Sequence, residues 1–224
     1  MDLLFTPAKL GTCELKNRIV RSATNGHLSD EKGQVTPLWA DTLIELAKNE
    51  VGLVITGHFC VDKMQRADAG QPVLDETTDE SLLRRACDGV HRYGGKLFFQ
   101  LSHSGIKGVE SVNGAPPKHP EDFTREELDR LVEQFAFAAK KCKESGEDGV
   151  QVSGIDFNRR AGQKTPFYLD ALICEPDFAA KLKSGAQDGS KCLACNGCYT
   201  IYRKRFVRCV QHQDEIEQFK TIPW

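Results

Sequence analysis

The chain has 224 residues, of which 40% are hydrophobic, so it can bury one good core and carry a small appendage. With 30 basic and 32 acidic residues its net charge is −2, which gives no reason to expect nucleic acid or an anionic membrane surface as partner. The N-terminus has no basic stretch followed by an apolar one, and no run approaches the roughly 18 apolar residues of a membrane helix. We therefore expect a cytoplasmic protein.

The first third of the chain predicts extended pieces followed by one helix and one buried strand. Residues 3–18 read as two short extended pieces around a turn, and Ile19-Val20 begins a strand. Thr36 is a good N-cap with Pro37 at the first helical position, and apolar residues then recur at helical spacing. The continuous apolar run 53–57 ends in glycine and predicts a strand covered on both faces.

The same alternation continues to residue 154. A helix starts near Thr78 or Asp79 and gives way at a glycine pair to a strand over 96–101. A capping box at Thr124–Glu127 predicts the next helix, and residues 149–154 predict a fourth strand. Beyond this point we find no clean strand and helix pair before residue 191.

Strands that alternate with helices at this spacing predict right-handed βαβ units and a parallel sheet. Such sheets carry their chemistry at the carboxyl ends of the strands, and all four predicted ends here are polar or rich in glycine. A closed (β/α)₈ barrel usually needs about 250 residues, so the chain is too short to close one alone. The expected fold is α/β: an incomplete, TIM-barrel-derived sheet of about four parallel βα units, with an N-terminal hairpin and a cysteine-rich C-terminal segment.

Four ordered motifs resemble the NADH:flavin oxidoreductase family of Old Yellow Enzyme. They are the segments 4–7 with 15–20 (LFTP and LKNRIV), 100–105 (QLSHSG), 172–178 (LICEPDF) and 191–198 (KCLACNGC). In order and content they are most similar to the dienoyl-CoA reductase and trimethylamine dehydrogenase subgroup, whose barrel is followed by an iron–sulfur segment. The resemblance covers nearly the whole chain.

The resemblance implies an FMN site at the strand ends. It places Ala23 and Thr24 beside the flavin through backbone groups, Gly57 where a side chain would collide with the ring system, and Gln100 on the pyrimidine edge. A carboxamide can match the adjacent donor and acceptor atoms of that edge, and glycine permits close approach of a planar cofactor. The alternative for Gln100 is a polar residue bonded to a neighbouring strand. We expect His103, on the same loop, to be structural.

Two departures from the family pattern bear on activity. After the fourth strand the family supplies a histidine that binds the substrate, whereas this chain has Val152-Ser153-Gly154. At Ala171 the sequence passes directly to a piece that resembles the family's segment after strand eight, so the counterpart of strands five to eight is missing. That block carries the phosphate-binding loops in the family, and we expect FMN affinity to suffer because hydrogen bonds to charged groups are lost.

Four of the nine cysteines crowd into the spacing Cys192-x2-Cys195-x2-Cys198-x10-Cys209. Three thiolates on one loop and a fourth returning later suit a cubane cluster, whereas zinc sites more often show two separated Cys-x2-Cys pairs. The family position also agrees with a [4Fe–4S] cluster. Zinc and no metal at all remain the alternatives. The other five cysteines are scattered singly and do not form a disulfide framework.

These observations divide the chain into a truncated FMN-binding barrel domain (1–178) and a helix with the cysteine-rich segment (179–224). The resemblance implies an FMN-dependent oxidoreductase that takes hydride from NAD(P)H and reduces a small electron-poor acceptor such as an activated alkene. The alternative is a non-catalytic, shortened homologue whose half-barrel associates with a second copy to cover its exposed edges. A third possibility is an internal deletion in a longer parent that leaves the chain marginally folded.

Overall fold

The computed structural model describes residues 2–154, 176–187 and 191. The strands run in chain order as β1 (Ala8–Leu10), β2 (Cys13–Leu15), β3 (Val20–Arg21), β4 (Leu53–Ile55), β5 (Phe59–Cys60), β6 (Lys96–His103) and β7 (Gly149–Gly154). The helices are α1 (Pro37–Lys48), α2 (Glu80–Arg92), the one-turn α3 (Glu110–Asn113), α4 (Arg125–Glu144) and α5 (Phe178–Ser184). Short 3₁₀ turns occupy Asp2–Phe5, Lys63–Gln65, Gly105–Lys107 and Pro120–Asp122.

The strands form an antiparallel hairpin and a parallel sheet. β1 pairs with β2, and the parallel sheet has the order β3-β4-β6, with β7 on the far side of β6. β5 also pairs with β6, in line with β4, so that β4 and β5 together make one interrupted strand. The predicted N-terminal hairpin and the four parallel strand positions are thus confirmed, and among the described residues the sheet is an open part of a barrel.

Local signals in the sequence fix where the helices begin. The Thr36 hydroxyl accepts a hydrogen bond from the Trp39 amide, and Thr124 forms a reciprocal capping box with Glu127. The Asp79 side chain caps α2 through the Ser81 amide. Each cap satisfies amide groups that have no partner inside the helix, which is why these positions could be identified from sequence.

The main core lies between the parallel sheet and the helices that cover one of its faces. Its centre is an aromatic group of Trp39 from α1, Phe59 from β5 and Phe99 from β6, with ring centroids 5.6–6.1 Å apart. Such edge-on and tilted pairs are favourable for aromatic rings. Because the helix layer packs on this face, the opposite face of the sheet and the strand ends are left to form a site.

The short helix α5 packs onto the same core. Ala179 is buried in the core cluster and Phe178 packs against it. At the other end of α5, Lys183 Nζ lies 3.0 Å from a carboxylate oxygen of Glu50, just beyond the end of α1. The predicted division after residue 178 stays a prediction, because most of 179–224 lies outside the described ranges.

Candidate functional site

The carboxyl ends of β3, β4, β6 and β7 meet at one edge of the sheet. The four residues predicted to contact a cofactor, Ala23, Thr24, Gly57 and Gln100, are all in the described part of the chain, and we call them the strand-end site. Gly57 lies between β4 and β5, and Gln100 lies within β6. Parallel strands bring such residues together although they are far apart in sequence.

Gly57 lies directly against the loop that follows β3. A Cβ atom built on Gly57 would lie 2.6 Å from the Thr24 carbonyl oxygen and 2.9 Å from the Cα atom of Asn25. A side chain at position 57 would therefore collide with the protein's own backbone, and the collision with the cofactor ring that the family resemblance implies stays a prediction. The close approach places Thr24 and Gly57 side by side on the same surface.

A β-bulge creates this approach. Ile55 pairs with Phe98 and Phe59 pairs with Leu101, so three residues of one strand face two of the other. Thr56 repairs the ladder at this point, because its hydroxyl accepts a 3.0 Å hydrogen bond from the Gln100 amide while its own amide donates to the Phe98 carbonyl. The bulge was not predicted, and the sequence gives no signal for it beyond the polar Thr56-Gly57 pair.

The side chain of Gln100 meets its register partner on β7. Gln100 Nε2 donates a 2.8 Å hydrogen bond to Oε1 of Gln151, which is exposed. This is the neighbouring-strand contact that the sequence left open as the alternative reading. Gln100 itself is half-buried, so its carboxamide also borders the open side of the sheet. Gln151 was missed by sequence reasoning, and its contribution depends on register alone.

A carboxylate holds the loop after β3 onto the loop after β5. Asp68 accepts a 2.9 Å hydrogen bond from Asn25 Nδ2 and lies 2.9 Å from Nδ1 of His27, which is largely buried. The Gly70 amide donates to the same carboxylate over 2.8 Å. We call this group the Asp68 clamp. It was not predicted, because the three partners are spread over 45 residues of sequence.

His58 belongs to a buried polar network. Its Nδ1 lies 3.1 Å from the Ser102 hydroxyl and 2.6 Å from the Gln71 carboxamide nitrogen, and both of those residues are fully buried. Burial lowers the pKa of His58 below its usual range, because the charged imidazolium is poorly solvated there. A neutral His58 therefore positions the loop after β4 and is a poor proton donor.

His103 has the structural surroundings that the sequence led us to expect. Its Nδ1 accepts a 3.1 Å hydrogen bond from the Gly105 amide, and its ring meets Phe123 edge-on at 5.8 Å. Burial lowers its pKa as well. The tautomer set by the Gly105 contact puts the proton on Nε2, a buried atom with no hydrogen-bond partner among the residues described.

Three of the four described cysteine thiols are buried. Cys60, Cys87 and Cys142 are buried and burial raises their pKa, to about 12 for Cys60 and Cys87. Within the described ranges no group of three or more histidine, cysteine or acidic side chains is arranged to hold a metal. The predicted cluster ligands Cys192, Cys195, Cys198 and Cys209 lie outside those ranges.

Within residues 2–154, 176–187 and 191, no helix has the length and apolar character needed to cross a membrane.

Comparison with known proteins connects this chain to a protein family. Residues 3–156 match the family model described as NADH:flavin oxidoreductase / NADH oxidase family. A metal reductase of Desulforamulus reducens is 34% identical over 169 residues, which is 68% of this chain and 24% of the relative. An NADPH dehydrogenase of Listeria monocytogenes is 30% identical over 162 residues, 68% of this chain and 48% of the relative. The chain thus spans between a quarter and a half of these curated relatives.

A solved structure supports the fold independently. The Old Yellow Enzyme homologue of Zymomonas mobilis superimposes with a TM-score of 0.60 at 23% identity, covering 66% of this chain and 47% of that one. At this identity the likeness concerns the fold. It agrees with a half-barrel of parallel strands covered on one face by helices.

Proposed function

The chain belongs to the NADH:flavin oxidoreductase / NADH oxidase family, and we propose on this basis that it acts as an FMN-dependent oxidoreductase. It would take hydride from NAD(P)H and pass it to a small electron-poor acceptor, such as an activated alkene, in the cytoplasm. The observation that supports this most directly is the contact of Gly57 with Thr24, which brings two of the residues expected beside the flavin onto one surface.

The described residues fit the ring system of a flavin. The backbone at Thr24, next to Ala23, lies directly against Gly57, which brings the two strand ends close together. Gln100, half-buried on the neighbouring strand, would hold the pyrimidine edge through its carboxamide. When bound, FMN supplies the hydride chemistry, and the protein contributes binding and orientation.

The surrounding groups define what the protein itself does in this proposal. The Asp68 clamp fixes the loop that carries Ala23 and Thr24, and the Thr56 hydroxyl fixes the amide of Gln100. Neutral His58 donates a proton poorly, and the Cys60 thiol, whose pKa burial raises to about 12, stays protonated and is a poor nucleophile near neutral pH. The residues of the site thus orient a ring and leave the redox step to it.

We further propose that the thiolates of Cys192, Cys195, Cys198 and Cys209 hold a [4Fe–4S] cluster. The support is the donor set, since four soft ligands at this spacing suit a cubane centre. Such a cluster would supply one-electron transfer. Zinc at the same ligands is the alternative, and iron and sulfide analysis of anaerobically purified protein separates the two.

Visible spectroscopy of the reconstituted chain tests the flavin proposal. Bound flavin gives two visible absorption bands that bleach when NADH or NADPH is added without oxygen. Gln100→Ala should weaken flavin binding by about 10-fold, as expected for loss of hydrogen bonds worth about 1–1.5 kcal/mol. Gln134→Ala on α4, also a half-buried glutamine, serves as the control and should leave binding unchanged. If the unmodified chain takes up no flavin after reconstitution, the proposed activity is refuted.

A second candidate function is a non-catalytic homologue that associates with itself. The observation that favours it is a set of exposed apolar side chains at the sheet edge and on α4, which a soluble monomer would normally cover. They are Val20, Leu128, Val132, Phe137 and Val152. Self-association without any flavin uptake would select this candidate over the first.

A further inference from the structure

The parallel sheet ends in an edge strand on each side. β3 pairs with β4 and β7 pairs with β6, and neither has a second neighbour among the residues that the structure describes. Val20 on β3 is 38% exposed and Val152 on β7 is 68% exposed. Edge strands present backbone groups that can pair with another strand, and an apolar side chain there favours such pairing.

The described helices are also half the number found in a complete (β/α)₈ barrel. Four helices longer than one turn, α1, α2, α4 and α5, accompany the four parallel strand positions in the described ranges. α5 is anchored at the α1 side: Lys183 reaches Glu50, and the Gly52 amide two residues later donates to the Ile19 carbonyl at the start of β3. A helix in this place lies where one would follow a strand added beside β3.

We propose that two copies of the chain close one eight-stranded barrel, in which β7 of each copy pairs with β3 of the other. The four strand positions and four helices of one copy become the eight and eight of a (β/α)₈ barrel. A two-fold axis makes the two junctions identical, and α5 of each copy covers one of them. Closure removes both edges, which no open half-barrel can do.

The share of a known barrel that one copy covers supports a second copy as the occupant. The region that superimposes on the Zymomonas mobilis barrel covers 47% of that structure, so two copies supply nearly a full barrel. The exposed stripe of α4 lies on the helix that flanks β7, where Val132 is 67% and Leu128 is 44% exposed. In the closed barrel this stripe would meet α5 of the other copy, and the half-buried Phe98 on the open face of the sheet would be enclosed.

This inference rests on the proposed function in one respect, because it names the partner that completes the strand-end site. A single copy leaves Gln151 exposed on an edge strand beside Gln100. In the closed barrel the loop after β3 of the second copy would border Gln151. Each of the two flavin sites would therefore depend on both chains.

Analytical ultracentrifugation of the full chain tests the pairing. We expect the unmodified chain to be a dimer in the micromolar range, and Val152→Lys to weaken the dimer at least about tenfold, because the junction would bury an unpaired charge. Met64→Lys, an exposed apolar position (47%) on a turn away from both edges, should leave the dimer intact.

The results separate the interface from the flavin proposal. A monomeric unmodified chain, or equal effects of Val152→Lys and Met64→Lys on association, would overturn the interface. Val152 is largely exposed, so its variant should fold, and circular dichroism checks this; if it does not fold, Val20→Lys at the opposite edge replaces it. If the chain is a dimer but takes up no flavin, the interface is supported and the proposed function is refuted. If the chain is a monomer and binds flavin, the interface is refuted and the proposed function is supported.

Discussion

Replacing Gly57 by alanine should disturb the strand-end site at its tightest point. The new Cβ atom would lie 2.6 Å from the Thr24 carbonyl oxygen, well inside van der Waals contact, and both of its nearest neighbours are backbone atoms that cannot rotate away. Overpacking of this kind costs about 1–3 kcal/mol. For a domain of this size, a loss of about 2 kcal/mol lowers Tm by about 4–8 °C.

The same substitution should also weaken flavin binding, because the loop carrying Ala23 and Thr24 must shift. Loss of one or two neutral backbone hydrogen bonds, each worth about 1 kcal/mol, predicts a Kd that rises about 5-fold to 30-fold. Denaturant unfolding measures the first effect and quenching of flavin fluorescence measures the second.

Gly26→Ala provides the matched control in the same loop. A Cβ at Gly26 would lie 3.1 Å from Cδ1 of Leu28, the end of a flexible side chain that can move. We expect it to change stability by less than about 1 kcal/mol. If Gly57→Ala proved as mild as Gly26→Ala in both measurements, the close approach of the two loops would not be what shapes the site.

Three further predictions concern charges and thiols outside that contact. Burial alone would raise the pKa of Asp148, but hydrogen bonds, led by the 2.7 Å bond from Lys96 Nζ, outweigh burial and lower the pKa below its usual value. The ionised Asp148 therefore stabilises the folded state above the unfolded pKa of about 3.9, and this stabilisation is lost as the pH falls below that value. Asp148→Asn should flatten the acid side of a curve of unfolding free energy against pH. Asp68→Asn should destabilise the native state by about 1–3 kcal/mol in urea unfolding, because it leaves the contacts of the clamp to His27 and Asn25 incomplete; a change under about 0.5 kcal/mol would show that the clamp is dispensable. The Cys60 thiol, with its pKa raised to about 12 by burial, should resist alkylation at pH 8 until the protein unfolds, and peptide mapping that finds it modified in native protein would contradict its buried position.

Those parts of the fold that depend on local signals could be predicted from the sequence. The caps at Thr36, Asp79 and Thr124 mark helix starts because each side chain satisfies an amide only two or three residues away. The strand at 149–154 was predicted with its observed bounds, as the segment that follows the glycine closing the preceding helix. Periodicity and capping are properties of a few adjacent residues, so a single sequence reveals them.

The parts that depend on register and on distant pairing could not be predicted. Whether Gln100 meets Gln151 is decided by how β6 and β7 align, because a shift of β7 by one residue would turn Gln151 to the other face of the sheet. The division of one strand into β4 and β5 arises from the bulge at Thr56, and the Asp68 clamp joins loops more than 40 residues apart. Family resemblance supplied the strand-end residues, but the physical reason for Gly57 emerged only from the structure.

The last prediction follows from which half of the site the chain contains. The strand-end residues lie on the first four strand positions and fit a flavin ring, whereas the sequence has no counterpart of the block that carries the phosphate loops in the family. A second copy repeats the first four strands, so it does not supply those loops either. Hydrogen bonds to a charged phosphate are worth about 1.5–3 kcal/mol each, and without them FMN should hold little advantage over riboflavin. We therefore expect the two Kd values to agree within about tenfold, a difference of about 1.4 kcal/mol, when each flavin is titrated into the apoprotein. FMN binding a hundredfold or more tighter than riboflavin would mean that another part of the chain has taken over the phosphate, and the loss of affinity expected from the missing block would then be wrong.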